Sequence, residues 1–219
     1  MFEAVLLALY KYQNISIEMV GKIEELNELA KDKTFDKDRL IFTDAREEIT
    51  CNEAPVEAIR TKKNSSLVVC IDKLKTGEYA GLVSAGSTGA VLSGSVLKLG
   101  RLAGVSRPAL APILPTVSGG KVLLIDCGAN MDCKPINLCH FALMGSEYMR
   151  VTQNISQPRV ALLNVGTEEA KGNDLAKSTF PLLQKLPINF VGNMEARDAL
   201  SGEYDVIVSR LEAIFLSEE

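Results

Sequence analysis

Tryptophan is absent from the 219 residues, and histidine occurs once, as His140. One histidine restricts any Ser-His-Asp or Cys-His site to that residue. No Gly-x-Ser-x-Gly elbow accompanies it, and it lies in an apolar helical pattern, where a structural role is the better reading. Long apolar runs are also lacking. None reaches the length that spans a bilayer and no charged-then-apolar leader opens the chain, so the expectation is a cytoplasmic protein. Neither charge sign dominates: with 24 Lys and Arg against 28 Asp and Glu, the net charge of −4 offers no general attraction to nucleic acid or an anionic membrane. Cysteine is present but odd in number, at 51, 70, 127, 133 and 139, which argues against a disulfide framework. Cys127, Cys133 and Cys139 are spaced more widely than paired zinc ligands, so they read as small buried hydrophobes and no metal is expected. A Walker loop and the dinucleotide fingerprint are missing as well.

What is present is an alternation. Hydrophobic residues make up 47% and charged residues 24%, enough apolar side chain for one large or two small domains. Periodicity predicts a helix over 2–12, a strand over 15–20, a helix over 23–31, a strand over 40–43, and helices over 55–62 and 66–75. The second half repeats the grammar, with a strand over 121–127 and a helix from Pro135 to about residue 149. A strand over 159–164, a helix to about residue 186 and a short strand over 189–191 follow. Strands alternating with helices predict an α/β fold with a largely parallel sheet flanked by helices, in two subdomains over 1–107 and 108–219. In such sheets ligands sit beyond the carboxyl ends of strands.

Residues 79–116 organise the chain. An apolar, strand-like run over 79–83 leads into Ser84-Ala85-Gly86-Ser87-Thr88-Gly89, which has no bulky side chain, and a helical pattern resumes over 90–99. A helix start presents unpaired N–H groups and partial positive charge, which attract anions. Gly86 and Gly89 permit close backbone approach, and Ser84, Ser87 and Thr88 add hydroxyl donors. Two readings stand open: a phosphate cradle, or an ordinary strand-to-helix turn with Ser or Thr as N-cap. Three further loops carry glycine, asparagine, acids and a cation at predicted strand ends, over 128–135, 165–173 and 192–198.

SAGSTGA, RPALAPILPT, DCGANMDCKP, ALLNVGTEEAKGN and INFVGNMEARD, in this order, resemble the bacterial phosphate acyltransferases, as does EAPVEAIRTKKNSSLVV upstream. The resemblance covers about residues 2–208. It implies an isocitrate/isopropylmalate dehydrogenase-like scaffold, a homodimer, and no cofactor. The implied reaction moves an acyl group from acyl carrier protein to inorganic phosphate, giving an acyl phosphate for phospholipid synthesis, with peripheral membrane association. Two departures stand out. The family's opening strand with Asp-x-Met-Gly-Gly-Asp is missing, and residues 209–219 match nothing in its pattern. The expectation is therefore a truncated or frame-shifted member lacking core strands and part of the site.

Phosphate is its own nucleophile in such a reaction. The protein must hold it, stabilise the developing oxyanion and help the thiolate leave. The resemblance favours Lys134 and Lys171 as sources of positive charge, where a solvated surface lysine is the ordinary alternative. Asn130 and Asn173 can donate through their amides, and Asp132 can orient Lys134 or take a proton from phosphate. Arg60, Lys62 and Lys63 either meet the acidic carrier or form a solvated helix end. Arg101 and Arg107 allow the same two readings, with Arg101 the better helix-closing residue. Two alternatives remain: a catalytically incomplete fragment that only binds the carrier or a partner subunit, and a nicotinamide-dependent hydroxy-acid dehydrogenase, for which the acidic metal ligands and adenine site are not found.

Overall fold

Residues 1–130 and 132–210 are described by the structure, a computed structural model. The chain divides into two units, Met1–Gly100 and a second beginning at Arg101.

The first unit opens with α1 (Phe2–Lys11), followed by β1 (Ile17–Gly21), α2 (Ile23–Ala30) and β2 (Leu40–Asp44), with β1 and β2 pairing in parallel. Phe2, Val5 and Leu9 of α1, spaced on one helical face, pack with Leu40, Phe35 and Phe42. Arg39 closes α1 from outside, its guanidinium donating to the carbonyls of Leu9 (3.1 Å) and Tyr12 (2.5 Å). α3 (Pro55–Thr61) and α4 (Ser66–Lys75) follow. Pro55 occupies the first turn of α3 and buried Ser65 caps α4 by accepting from the Val68 amide. α5 (Thr88–Gly94) runs on into a π-helical turn over Ser95–Leu99.

The strand expected over 79–83 does not form: it pairs with nothing among the described residues, and Val83 is 84% exposed. A strand there needs a ladder neighbour, and the segment is instead held at Tyr79, whose ring lies under the Lys73 ammonium, 5.6 Å from the ring centroid. The Tyr79 hydroxyl donates to the carboxylate of Glu18 on β1, which also takes Thr43 and Lys73. Burial works to raise the Glu18 pKa, but these three partners outweigh it and hold the carboxyl below its usual range.

The second unit carries a five-stranded sheet among the described residues, built from β3 (Ile113–Pro115), β4 (Lys121–Ile125), β5 (Arg159–Asn164), β6 (Asn189–Glu195) and β7 (Val206–Val208). The order is β3-β4-β7-β5-β6, parallel throughout except for β3. Strand alternation sorts the core. Leu123, Ile125, Val160, Leu162, Val206 and Val208 face α6 (Pro135–Gln153) and α7 (Asp174–Leu183), while Val122, Ala161, Met194 and Ile207 face the other way. Gly145 marks the closest approach of α6 to the sheet, since a Cβ there would stand 2.6 Å from Val206 Cγ1. α6 runs beyond residue 149 and stops where Asn154 turns left-handed at φ 56°. β6 also outlasts its expected end, because a bulge between Val160 and Ala161 of β5 absorbs Val191 and lets pairing continue to Glu195.

Arg159 and Asp205 lock β5 to the approach of β7. Asp205 accepts from the Arg159 amide (2.7 Å), Nε (2.9 Å) and Nη2 (2.9 Å). Burial works to raise the Asp205 pKa, and these bonds outweigh it, so the net shift is downward. The bridge therefore stabilises the fold above the ordinary carboxylate range and fades as pH falls through it. Arg159→Met is expected to cost about 2 kcal/mol, less than a fully buried pair because the Arg159 side chain is 42% exposed. A denaturant midpoint lowered at unchanged slope would show it; an unchanged midpoint would reduce the bridge to decoration.

Candidate functional site

Parallel pairing brings the carboxyl ends of β4, β5, β6 and β7 to one edge of the second unit, so the loops over 126–134, 165–173 and 195–198 share that edge.

Asp126, 1% exposed, builds the first loop. Its carboxylate accepts from the amides of Leu110 (2.8 Å), Ala129 (3.1 Å) and Asn130 (2.8 Å), and from Asn130 Nδ2 (2.9 Å). Asn130 Nδ2 also donates to the Pro108 carbonyl at 2.8 Å. Both amide hydrogens of Asn130 are thus spent on the loop, which corrects the expectation that they serve a ligand. Arg107, half-buried, donates to the Asp132 carbonyl at 2.6 Å. Arg101 likewise binds the Ser106 carbonyl. The Asp132 carboxylate is exposed and forms no ion pair with Lys134, so it does not orient that lysine.

Lys134 caps α6 through its backbone alone. Its N–H donates to Asn137 Oδ1 at 2.8 Å, Pro135 follows at the first helical position, and the exposed side chain meets no partner among the described residues. His140 is held as a structural residue, with Nδ1 3.1 Å from Ser106 Oγ, which in turn accepts from Asn137 Nδ2.

The second loop carries Lys171 and Asn173. Asn173 caps α7, its Oδ1 accepting from the Ala176 amide at 2.9 Å, which leaves its amide hydrogens without a partner among the described residues. The Lys171 side chain is exposed and unpaired there. Sequence reasoning missed two residues beneath this loop. Asn164 Nδ2 donates to the Lys171 carbonyl (3.0 Å), and Asn193 Nδ2 to the Glu168 carbonyl (2.9 Å). The signal was an asparagine closing the apolar run of β5 and a second one inside the following strand.

Residues 84–89 lie in the first unit. Ser87 is the N-cap of α5, its Oγ accepting from the Ala90 amide at 3.3 Å, and Ser84 Oγ accepts from the Gly86 amide at 3.2 Å. The Thr88 and Gly89 amides find no acceptor among the described residues. Gly89 also serves packing, because a Cβ would stand 2.9 Å from Pro55 Cγ. Of the basic cluster, Lys62 is committed locally, paired with Glu53 at 2.6 Å and bonded to the Glu48 carbonyl. The Lys62 ammonium and the Thr50 amide pull Glu53 down to about 2. Arg60 and Lys63 remain exposed without ion pairs among the described residues.

Burial, reinforced by the Asp126 charge, pushes the Cys127 and Cys133 thiols up, and burial alone does so for Cys139, so none is poised as a thiolate. Of the three cysteines read as buried, Cys139 is buried while Cys127 and Cys133 are half-buried; Cys51 is exposed. A groove of about 690 Å³ lies at the opposite edge, by the amino ends of β5 and β6. Its one arginine, Arg150, is already paired with Glu147.

A family model described as "Fatty acid synthesis protein" matches residues 1–210. The chain belongs to that family. It is 48% identical over 194 residues to a protein of Thermoanaerobacterium thermosaccharolyticum named phosphate acyltransferase, and 45% identical over 202 residues to one of Bacillus cereus with the same name. The alignments take in 89% and 92% of this chain but only 57% and 60% of those relatives. Among solved structures, a EutD phosphotransacetylase from Staphylococcus aureus superposes with a TM-score of 0.66 at 18% identity, covering 96% of this chain and 74% of that one. This last likeness concerns the α/β fold. No helix among the described residues is long and apolar enough to cross a membrane.

Proposed function

We propose that this family member transfers an acyl group from acyl carrier protein to inorganic phosphate. A phosphate oxygen attacks the thioester carbonyl, a C–O bond forms, the C–S bond breaks, and the carrier leaves as a thiolate that takes up a proton. The observation that carries the reading is the pair Lys134 and Lys171: two cations without a partner among the described residues, at one edge of the sheet, each on a backbone tied down by neighbours. Fixed positive charge is what a dianionic nucleophile and a developing oxyanion require. The name carried by the relatives agrees, and the raised thiols of the second unit suit a reaction without a protein nucleophile.

In this reading Asn173 donates to the bound anion, and Asp132 accepts a proton from phosphate. Asn130 holds its loop. Taken by itself, the first unit offers a phosphate the Thr88 and Gly89 amides, the close backbone at Gly86 and the hydroxyls of Ser84, Ser87 and Thr88. Arg60 and Lys63 meet the acidic carrier, with Lys62 fixing the turn beside them. A homodimer in the cytoplasm, peripheral at the membrane, on a scaffold of the isocitrate/isopropylmalate dehydrogenase type, completes the proposal.

The test is incubation with long-chain acyl carrier protein, with and without phosphate. Hydroxylamine traps an acyl phosphate as a hydroxamate, and freed thiol is measured alongside. The expected result is phosphate-dependent formation of both. Carrier binding without thiol release would select a binding role instead. Reduction of a nicotinamide cofactor by a hydroxy acid, with no use of the thioester, would replace the reading altogether.

A further inference from the structure

We infer that Asn164 and Asn193 are positioning residues whose task is to aim Lys171; the inference rests on the proposed role of that lysine. Both are side chains of the sheet, 8% and 6% exposed, Asn164 at the end of β5 and Asn193 opposite Leu162 on the adjacent parallel strand β6. Each reaches up to the backbone of the same loop. Asn164 Nδ2 takes the Lys171 carbonyl at 3.0 Å, and its Oδ1 accepts from the Val165 amide at 2.9 Å. Asn193 Nδ2 takes the Glu168 carbonyl at 2.9 Å, and that carbonyl also accepts from the Lys171 amide at 3.1 Å. The main chain of Lys171 is therefore held on both sides, by its own N–H and by its own C=O.

Stability alone does not account for Asn193. Its Oδ1 is buried with no hydrogen-bond partner among the described residues, a cost of the kind folded proteins avoid. A leucine of similar shape would fill the strand position without that orphan. What leucine lacks is the donor to the Lys171 loop. A side chain that carries its own desolvation cost, and that among the described residues bonds only to a loop bearing a cation without a partner among them, is placed for that cation.

The experiment uses Asn193→Leu, Lys171→Ala and the double variant, with Asn193→Ala in reserve should leucine disturb folding. Three quantities are read: melting temperature, hydrogen exchange of the Lys171 backbone amide, and the Kd for inorganic phosphate. In Asn193→Leu the amide is expected to exchange at least tenfold faster at an unchanged melting temperature, and phosphate affinity to fall about tenfold. In the Lys171→Ala background the same substitution should change phosphate affinity no further, because its effect passes through Lys171. Wild-type exchange at Lys171, or an equal loss of affinity in both backgrounds, would overturn the inference while leaving the proposed role of Lys171 standing. Wild-type phosphate affinity in Lys171→Ala itself would overturn that role, and the inference with it.

Discussion

Lys134→Ala is expected to lower phosphate-dependent release of carrier thiol about a hundredfold, the usual scale for losing one preorganised group that stabilises transition-state charge. The fold should not notice. The cap of α6 is made by the Lys134 backbone N–H on Asn137 Oδ1, with Pro135 setting the first turn, and neither depends on the lysine side chain. An exposed, unpaired side chain removed by alanine should shift stability by no more than about 0.5 kcal/mol. If Lys134 acts on the transition state, kcat and kcat/KM should fall together; a rise in KM alone would mark it as a ground-state anchor. Lys134→Arg should restore part of the rate, since charge survives while reach and geometry change. Wild-type turnover in the alanine variant would return Lys134 to the ranks of solvated surface lysines.

Gly172→Ala is expected to be the most damaging small substitution in the second loop. Gly172 sits at φ +91°, where any Cβ is strained, and a Cβ there would stand 2.2 Å from Asn164 Oδ1. Relief must come from Asn164, which would lose its bonds to the Lys171 carbonyl and the Val165 amide. Strain of roughly one to two kcal/mol and two bonds worth roughly one each place the cost at about 3 kcal/mol. Gly119→Ala is the control. Gly119 has φ +80° and nothing within 4 Å of where its Cβ would stand, so backbone strain alone should apply, about 1 kcal/mol. Equal losses at the two sites, measured by denaturant titration, would mean that Asn164 yields freely and that the clamp on Lys171 is soft.

Local patterns were legible where the pattern is long and its partner close. Residues 66–75 and 159–164 form the helix and strand their periodicity predicts. The strand-end loops were legible too, because glycine, asparagine and a cation between an apolar run and a helix have few other uses. Non-local partnership was not. Ile113–Pro115 and Val206–Val208 are three residues each, too short to carry a period, and their identity as strands comes entirely from neighbours. The run over 79–83 shows the converse: it looks like a strand, but no neighbour pairs with it among the described residues. The roles of Asp126, Asn164 and Asn193 were hidden for the same reason. A polar residue at the end of an apolar run reads as the start of a loop, and only the fold shows which main-chain groups it grips.

The position of β7 bears on how the protein emerges from the ribosome. The last of the described strands to be made is the one inserted between β4 and β5. Until Val206, Ile207 and Val208 are available, those two strands face each other across two strand spacings, about 10 Å, and neither can satisfy the other's main chain. Gly145 of α6 then has no Val206 to rest on. A growing chain must hold two open sheet edges apart until a three-residue plug arrives, and until then the unit is exposed to strand exchange with neighbouring nascent chains.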